Sequence, residues 1–175
     1  MYTDILILAT LRAGPRHGYE IKKLVDRVLG GAIPLNNKML YPALRRFEEM
    51  GAVQREIERQ EGKPDRHIYQ ITERGIEVLQ GMLQDFPPEI AHNDAEFHVR
   101  VAFFDLLEPE LRLDILATRT RLIEERLRHI QDMQTLAGQA TINTYAVHIL
   151  SFYVQHFQLE LDWLHGMVRN EKERG

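Results

Sequence analysis

The sequence predicts a mainly helical fold in two domains, of which the first also contains a β-hairpin. Three observations lead to this expectation. Apolar residues recur at helical spacing along most of the chain, two short segments alternate apolar and polar residues, and the pair Pro87–Pro88 interrupts the pattern. Because proline lacks an amide donor and disfavours a helical residue before it, we expect one domain at residues 1–86 and another at residues 93–170.

The first domain is predicted to begin with three helices. The second of them is amphipathic over Gly18–Leu29 and ends at Gly30 and Gly31, since glycine readily adopts the conformation that closes a helix. The third follows a cap at Asn36 or Asn37 and continues to Glu49.

Two strands and a fourth helix complete the first domain. Ala52–Glu58 and Arg66–Ile71 alternate apolar and polar residues, and the segment between them, Arg59–Asp65, has the glycine and proline of a hairpin loop. Thr72 is placed to cap the fourth helix. This order of elements is typical of a winged helix-turn-helix with a small β-hairpin wing.

The second domain is predicted to be entirely helical. Asn93 followed by Glu96 indicates a helix start, and Pro109 suits the first position of the next helix. Apolar residues then recur at alternating intervals of three and four until Gly138, as in a coiled-coil seam. Thr141 is expected to cap a last long helix.

Composition excludes several classes of protein and site. The chain has no cysteine, which excludes disulfides, thiolate metal sites and cysteine nucleophiles. Its eight histidines include no pair four residues apart, and no phosphate loop, nucleophile elbow or dinucleotide fingerprint occurs. No apolar run approaches the roughly 18 residues of a membrane span. We therefore expect a cytoplasmic protein that is not an enzyme and has no metal, cofactor or membrane partner.

Charge is distributed unevenly along the chain. The net charge is −4, but residues 1–84 carry +2 and residues 85–175 carry −6. Such asymmetry between halves is a mild indication that one half contacts nucleic acid.

The third predicted helix has the side chains that a DNA-reading helix needs. Lys38, Tyr41, Arg45 and Arg46 lie on it, and Tyr41 and Arg45 share a face because they are four residues apart. The major groove of DNA admits a helix, and cations beside it attract phosphates. The wing adds Arg59, Lys63 and Arg66. For any one of these residues the alternative is an ordinary solvated surface charge.

Three motifs resemble the PadR family of bacterial transcription regulators. HGYEIKK, LYPALRRFEEMG and YQITERG come in that family's order and spacing, within about residues 4–84. The resemblance implies a recognition helix around residues 38–50 with a Tyr-Pro step, and a wing at residues 59–66 with Lys63 near its tip. The predicted DNA-binding residues are Tyr19, Lys22, Lys38, Tyr41, Pro42, Arg45, Arg46, Lys63 and Arg66.

Two adjacent positions depart from the family pattern. The family usually has Gly-Thr before its Leu-Tyr pair, whereas this chain has Lys38 and Met39. A long cation replaces the small residue that allows backbone to lie close to phosphate. The family's contacts at these two positions are therefore not carried over, and a different operator preference is expected.

The last predicted helix carries two apolar stripes. One is Ile149, Phe152, His156, Leu159 and Trp163, and the other is Ala146, Leu150, Tyr153, Phe157, Leu161, Leu164 and Val168. One stripe can pack inside the chain while the other needs a partner, and a symmetric homodimer is the simplest partner. The resemblance also implies dimerisation by these helices. We expect Tyr153, Phe157, Leu161 and Leu164 at the interface; a self-contained three-helix subdomain is the alternative.

The function expected from these features is a homodimeric repressor that binds operator DNA and is released by a small ligand, as the resemblance implies. Aromatic acids are among the candidate ligands. Tyr153, His156 and Trp163 could line a ligand pocket because they combine apolar rings with polar atoms, although simple packing explains them as well. The competing function is a winged helix that binds another protein and not DNA.

Overall fold

The computed structural model describes residues 2–59, 66–139 and 144–174, and it confirms a mainly helical fold with a small antiparallel sheet. The helices are α1 (Tyr2–Arg12), α2 (Gly18–Leu29), α3 (Asn37–Glu49), α4 (Glu73–Gln84), α5 (Asp94–Ala102), α6 (Pro109–Gln139) and α7 (Thr144–Arg174), with a short 3-10 turn at Phe104–Leu106. The strands are β1 (Arg16–His17), β2 (Val53–Glu58) and β3 (Arg66–Ile71).

The sheet has the strand order β1-β3-β2, with both pairs antiparallel. The predicted hairpin is confirmed: β2 and β3 pair from Val53 opposite Ile71 to Glu58 opposite Arg66. The strand β1 was not predicted from the sequence. A strand of two residues is too short to show an alternating pattern, and it forms because Arg16 and His17 pair with Tyr69 and Ile68.

Polar caps set the helix boundaries near the sheet. The side chain of Asn36 accepts a hydrogen bond from the amide of Met39 at 3.1 Å, and that of Thr72 accepts one from the amide of Gly75 at 3.1 Å. Each satisfies an amide that the first turn of a helix leaves without a partner. Gly30 ends α2 in the left-handed region, with φ of 57°.

Helix α1 forms the centre of the first half of the fold. Its residues from Ile5 to Leu11 are all buried, and it contacts α2, α3, α4, α5 and β3. Close packing also depends on Gly75 at the start of α4. A Cβ atom at this position would lie 2.1 Å from the carbonyl oxygen of Ala52, so only glycine fits there.

The chain divides into two compact units. The winged-helix unit comprises Met1–Phe86 with Asn93–Leu107, and the helical unit comprises Pro87–His92 with Glu108–Gly175. This division differs from the predicted one, because α5 groups with the winged helix rather than with the long helices.

A buried arginine explains why α5 belongs to the winged-helix unit. The Arg100 side chain is fully buried, pairs with Glu96 at 2.7 Å and donates to the carbonyl oxygens of Met82 and Asp85. Glu96 in turn accepts from the amide of Tyr2 at 2.9 Å. Asn93 caps α5 as predicted, but the Glu96 carboxylate is engaged with α1 and Arg100. The sequence pattern did not predict these contacts of Arg100, because packing was predicted from the spacing of apolar residues and a charged residue does not contribute to that pattern.

The helical unit is built on α6 and α7, which pack along each other. The predicted seam on α6 faces inward, and Leu116 and Ile123 within it are fully buried. Two ion pairs join the helices, Arg112 with Glu171 at 2.9 Å and Arg119 with Glu160 at 2.7 Å. Arg119 also donates to the carbonyl oxygen of Ala91 at 2.6 Å. The predicted cap Thr141 lies outside the described residues.

Two further findings concern the described ranges only. None of their helices is both long and apolar enough to cross a lipid bilayer. No group of three or more histidine or acidic side chains in these ranges is arranged to hold a metal ion.

Candidate nucleic-acid interface

Helix α3 has one buried face and one exposed face. The buried face consists of Leu40, Ala43, Leu44 and Phe47. The exposed face carries all five residues predicted to contact DNA from this helix: Lys38, Tyr41, Pro42, Arg45 and Arg46. Tyr41 is 47% exposed although it is a large aromatic residue, which leaves its ring and hydroxyl available to a partner.

Pro42 stands within α3 without ending it. Since proline has no amide hydrogen, the carbonyl oxygen of Lys38, four residues earlier, loses its usual helical donor. The exposed face therefore presents a backbone acceptor at its first turn together with the Lys38 side chain.

The two arginines of α3 have different surroundings. Arg46 forms an ion pair with Asp4 of α1, and its guanidinium lies 5.2 Å from the ring centre of Phe47. Arg45 is exposed and forms no ion pair with any described residue. Arg46 therefore helps to attach α3 to α1, whereas the charge of Arg45 remains available.

A cleft lies beside Tyr41, between the start of α2, the exposed face of α3 and the strand β3. It is lined by His17, Gly18, Tyr19, Tyr41, Arg66, His67 and Tyr69. Glycine at position 18 lets the Tyr41 ring approach closely, since a Cβ atom there would lie 3.0 Å from the hydroxyl oxygen of Tyr41. The two predicted tyrosines, Tyr19 and Tyr41, thus border one concave surface together with the cation Arg66.

His17 connects the parts of this cleft. Its ring stacks on Tyr19 with 5.6 Å between ring centres, and its Nδ1 atom lies 3.1 Å from the carbonyl oxygen of His67. Its Nε2 atom lies 3.6 Å from a carboxylate oxygen of Glu58 on β2. The start of α2 is therefore held against both strands of the wing.

Two further groups determine the electrostatics around α3. Burial raises the pKa of the Tyr69 hydroxyl, and the carboxylate of Glu48 raises it further. Tyr69 consequently stays uncharged near neutral pH and adds no negative charge to the cleft.

Lys22 donates a 3.0 Å hydrogen bond to Asn37 and so links α2 to the first turn of α3.

The structure thus brings eight of the nine predicted DNA-binding residues onto the winged-helix unit, in α2, α3 and β3. Lys63 lies outside the described residues. Sequence reasoning missed His17, Gly18 and Tyr69 as parts of the cleft. Only the Gly-Tyr pair at positions 18–19 offered a signal, since glycine before an exposed aromatic residue often marks a close approach.

The structure differs from the prediction for two of the four α7 residues expected at a partner interface, whereas Tyr153 is 42% exposed. Phe157 and Leu164, expected at a partner interface, are buried within the chain at 9% and 0% exposure, and Leu161 is half-buried. The other stripe is exposed instead, including Phe152 at 59% and Leu159 at 71%. The ion pairs explain this difference, because Glu160 and Glu171 lie on the same helix face as Phe157 and Leu164 and turn that face towards α6.

The predicted ligand-lining residues lie on the exposed side of α7. Tyr153, His156 and Trp163 are all exposed, and the ring of His156 stacks on Phe152 with 6.0 Å between centres. Tyr153 stacks on Phe157 at the same separation. These residues form an aromatic surface rather than the wall of an enclosed cavity.

The three-helix core, the hairpin wing and the exposed face of α3 define a winged-helix domain of the class found in DNA-binding regulators. The model of the transcriptional regulator PadR-like family matches residues 7–81. The chain is thus similar to that family over these residues.

Several solved structures are similar to the chain. Bacillus subtilis PadR in complex with operator DNA is 20% identical, with 95% of this chain and 96% of that chain covered and a TM-score of 0.46. The same protein in complex with p-coumaric acid is 17% identical, with coverage of 98% and 96% and a TM-score of 0.43. A PadR family transcriptional regulator from Eggerthella lenta is 32% identical, with coverage of 45% and 65% and a TM-score of 0.39. No curated protein matches the chain.

Proposed function

We propose that this protein is a sequence-specific DNA-binding transcription regulator of the cytoplasm, with α3 as its recognition helix. The observation that carries the proposal is the two-sided character of α3. Its apolar face is buried in the core, while an exposed arginine, a lysine and a large aromatic residue project from the other face. A helix of this kind fits the major groove.

The side chains around α3 divide into base-reading and phosphate-binding groups. Arg45 reads a base edge, since a guanidinium can donate two hydrogen bonds to guanine, and Tyr41 contacts the neighbouring base or its sugar. Lys38, Lys22 and Arg66 bind phosphates on either side. Lys63, in the predicted wing tip, joins this second group.

The regulator acts as a homodimer that contacts two half-sites. Support comes from the exposed apolar stripe of α7, where Tyr145, Ile149, Phe152, Leu159 and Trp163 are all more than 40% exposed. An exposed apolar surface of this kind favours an apolar partner surface, and a two-fold axis would bring two identical stripes together. Dimers of helix-turn-helix proteins read half-sites about one DNA turn apart.

The finer proposal is a repressor that a small aromatic ligand releases from DNA. The exposed rings of α7 support an aromatic ligand, because Phe152 with His156, and Tyr153 beside them, offer flat faces on which a ring can stack. Binding there would alter the packing of the dimer and so the spacing of the two recognition helices.

The experiment that tests the proposal begins with selection of duplexes from a random pool. The enriched duplex is then titrated with the parent protein and with Tyr41→Ala and Arg45→Ala. Arg74→Ala on α4 is the matched control, because Arg74 is an exposed arginine paired with Glu77 outside the cleft. We expect the first two variants to lose affinity and the control to keep it. Failure to enrich any duplex would contradict DNA binding and favour a winged helix that binds another protein.

A further inference from the structure

A second groove runs along the outer side of α2. It is lined by Arg16, Tyr19, Glu20, Lys23, Leu24 and Arg27. Tyr19 also lines the cleft beside Tyr41, so the two concave surfaces are adjacent. None of the DNA-binding residues predicted from the sequence, apart from Tyr19, belongs to this groove.

We propose that this groove holds the sugar–phosphate backbone of duplex DNA that flanks the segment read by α3. The inference rests on the proposed DNA-binding function and extends it to a new set of residues: Arg16, Lys23 and Arg27. It follows from the charge of the groove, the geometry of its cations and its continuity with the cleft.

The charge of the groove is predominantly positive. Three cations line it against one carboxylate. That carboxylate, Glu20, already accepts a 2.8 Å hydrogen bond from the backbone amide of His17. Lys23 and Arg27 are exposed and form no ion pair with any described residue. The groove therefore has uncompensated positive charge, which is the electrostatic complement of a polyanion.

Arg16 is held in place without being neutralised. Its Nη1 atom donates to the carbonyl oxygen of Pro15 at 3.1 Å, and its Nη2 atom to that of Ala13 at 3.4 Å. Carbonyl oxygens orient the guanidinium but carry no formal charge. An arginine fixed in this way loses less conformational entropy when it binds a phosphate.

The spacing of the groove residues favours an extended ligand. Tyr19, Lys23 and Arg27 are successive residues at intervals of four on α2, so they form one row with a rise of about 6 Å per step. A row of separated cations along an open groove suits the repeating phosphates of a DNA strand better than a single small anion, which needs donors that converge on one point.

The test compares the double variant Lys23→Gln, Arg27→Gln with the parent protein on the selected duplex, titrated with NaCl. If each of the two cations neutralises one phosphate, the dimer loses four such contacts, and the slope of log K against log salt becomes shallower by about 0.9 for each, or roughly 3.6 in all. Between 50 and 200 mM salt the parent should then lose about 100-fold more affinity than the variant. Hydroxyl-radical footprinting should show lost protection only at the outer backbone positions.

The matched control is the double variant Arg74→Gln, Arg128→Gln, which removes the same charge from exposed positions on α4 and α6. Its slope should equal that of the parent, and both double variants should keep the parent's Tm. An unchanged slope for Lys23→Gln, Arg27→Gln, with salt-dependent binding by the parent, would overturn the inference alone and point to an acidic protein surface as the partner. A parent that binds no duplex would instead refute the proposed function, and the inference with it.

Discussion

The two compact units each bury an arginine–glutamate pair, but the side chains that they expose differ in chemical character. Each contains a buried arginine–glutamate pair, Arg100 with Glu96 in the winged-helix unit and Arg119 with Glu160 in the helical unit. On the surface, the winged-helix unit exposes cations and tyrosines along α2 and α3, whereas the helical unit exposes apolar side chains along α7. The buried pairs help to hold each unit together, whereas the exposed side chains determine which kind of partner each unit can bind.

This difference assigns separate tasks to the units. A surface of cations and hydroxyl-bearing rings suits phosphates and base edges. A stripe of apolar residues suits another apolar surface. Substitutions in one unit should therefore impair a different property from substitutions in the other, which the following predictions use.

The largest effect is expected from charges placed on the exposed stripe of α7. The double variant Phe152→Asp, Leu159→Asp should be monomeric, since an apolar interface does not tolerate unpaired carboxylates. A monomer contacts one half-site, so affinity for the selected duplex should fall by about 100-fold or more. Light scattering and a gel-shift titration measure the two effects, and the Tm should stay near that of the parent.

Two control variants test whether the loss of the dimer is specific to the exposed stripe. Gln158→Asp with His165→Asp adds two carboxylates at the same spacing on exposed polar positions of α7, away from the stripe, and should leave the dimer intact. Leu164→Asp places a carboxylate in the fully buried stripe and should prevent folding of the helical unit. If Phe152→Asp, Leu159→Asp remains dimeric, the exposed stripe is not the interface.

Smaller effects are expected from substitution of the adjacent arginines of α3, on DNA affinity for Arg45 and on stability for Arg46. Arg45→Ala should weaken binding to the selected duplex by about 1–3 kcal/mol and leave the Tm unchanged, because its side chain is exposed and has no ion-pair partner among the described residues. Arg46→Ala should lower the free energy of unfolding by up to about 1 kcal/mol, since its half-exposed ion pair with Asp4 is lost. Binding isotherms and thermal melts of both variants distinguish the two roles. Equal effects on binding would show that Arg46 also reads DNA.

The smallest effect concerns acid stability of the winged-helix unit. Burial alone would raise the pKa of Glu96, but hydrogen bonds from Arg100 and the amide of Tyr2 outweigh it and hold this pKa below its ordinary value of 4.5. Unfolding therefore takes up a proton at low pH, and the stability that Glu96 contributes is lost as the pH falls from about 4.5 through the folded-state pKa.

The measurement is the free energy of unfolding as a function of pH for the parent and Glu96→Gln. The variant should be less stable than the parent at pH 7, and the difference should shrink on acidification below pH 4.5. Arg74→Ala is the exposed control and should follow the parent's profile. A constant difference between parent and Glu96→Gln at all pH values would contradict this account.

The sequence predicted the elements well where the signal was local. Asn36 and Thr72 cap their helices as expected, and the hairpin strands lie where alternation placed them. Packing within α3 was also predictable, because Leu40, Leu44 and Phe47 repeat at helical spacing and only one face could be buried.

Prediction failed where charged residues decide the packing. Both stripes of α7 are apolar, so hydrophobicity alone could not show which one faces α6. The choice follows from Arg112 and Arg119, which bind Glu171 and Glu160 across the helices. In the same way α5 joins the winged-helix unit through Arg100, whose partners are backbone carbonyls distant in the sequence. Neither kind of contact leaves a periodic pattern.

The central claim, that α3 and its surroundings bind DNA, is tested most directly by a salt titration of the parent protein on the selected duplex. Lys22, Lys38 and Arg66 offer three phosphate-binding cations per subunit, and each neutralised phosphate contributes about −0.9 to the slope of log K against log salt. With six such contacts in the dimer, the account predicts a slope of about −5 or steeper. An affinity that stays constant as NaCl increases would contradict it.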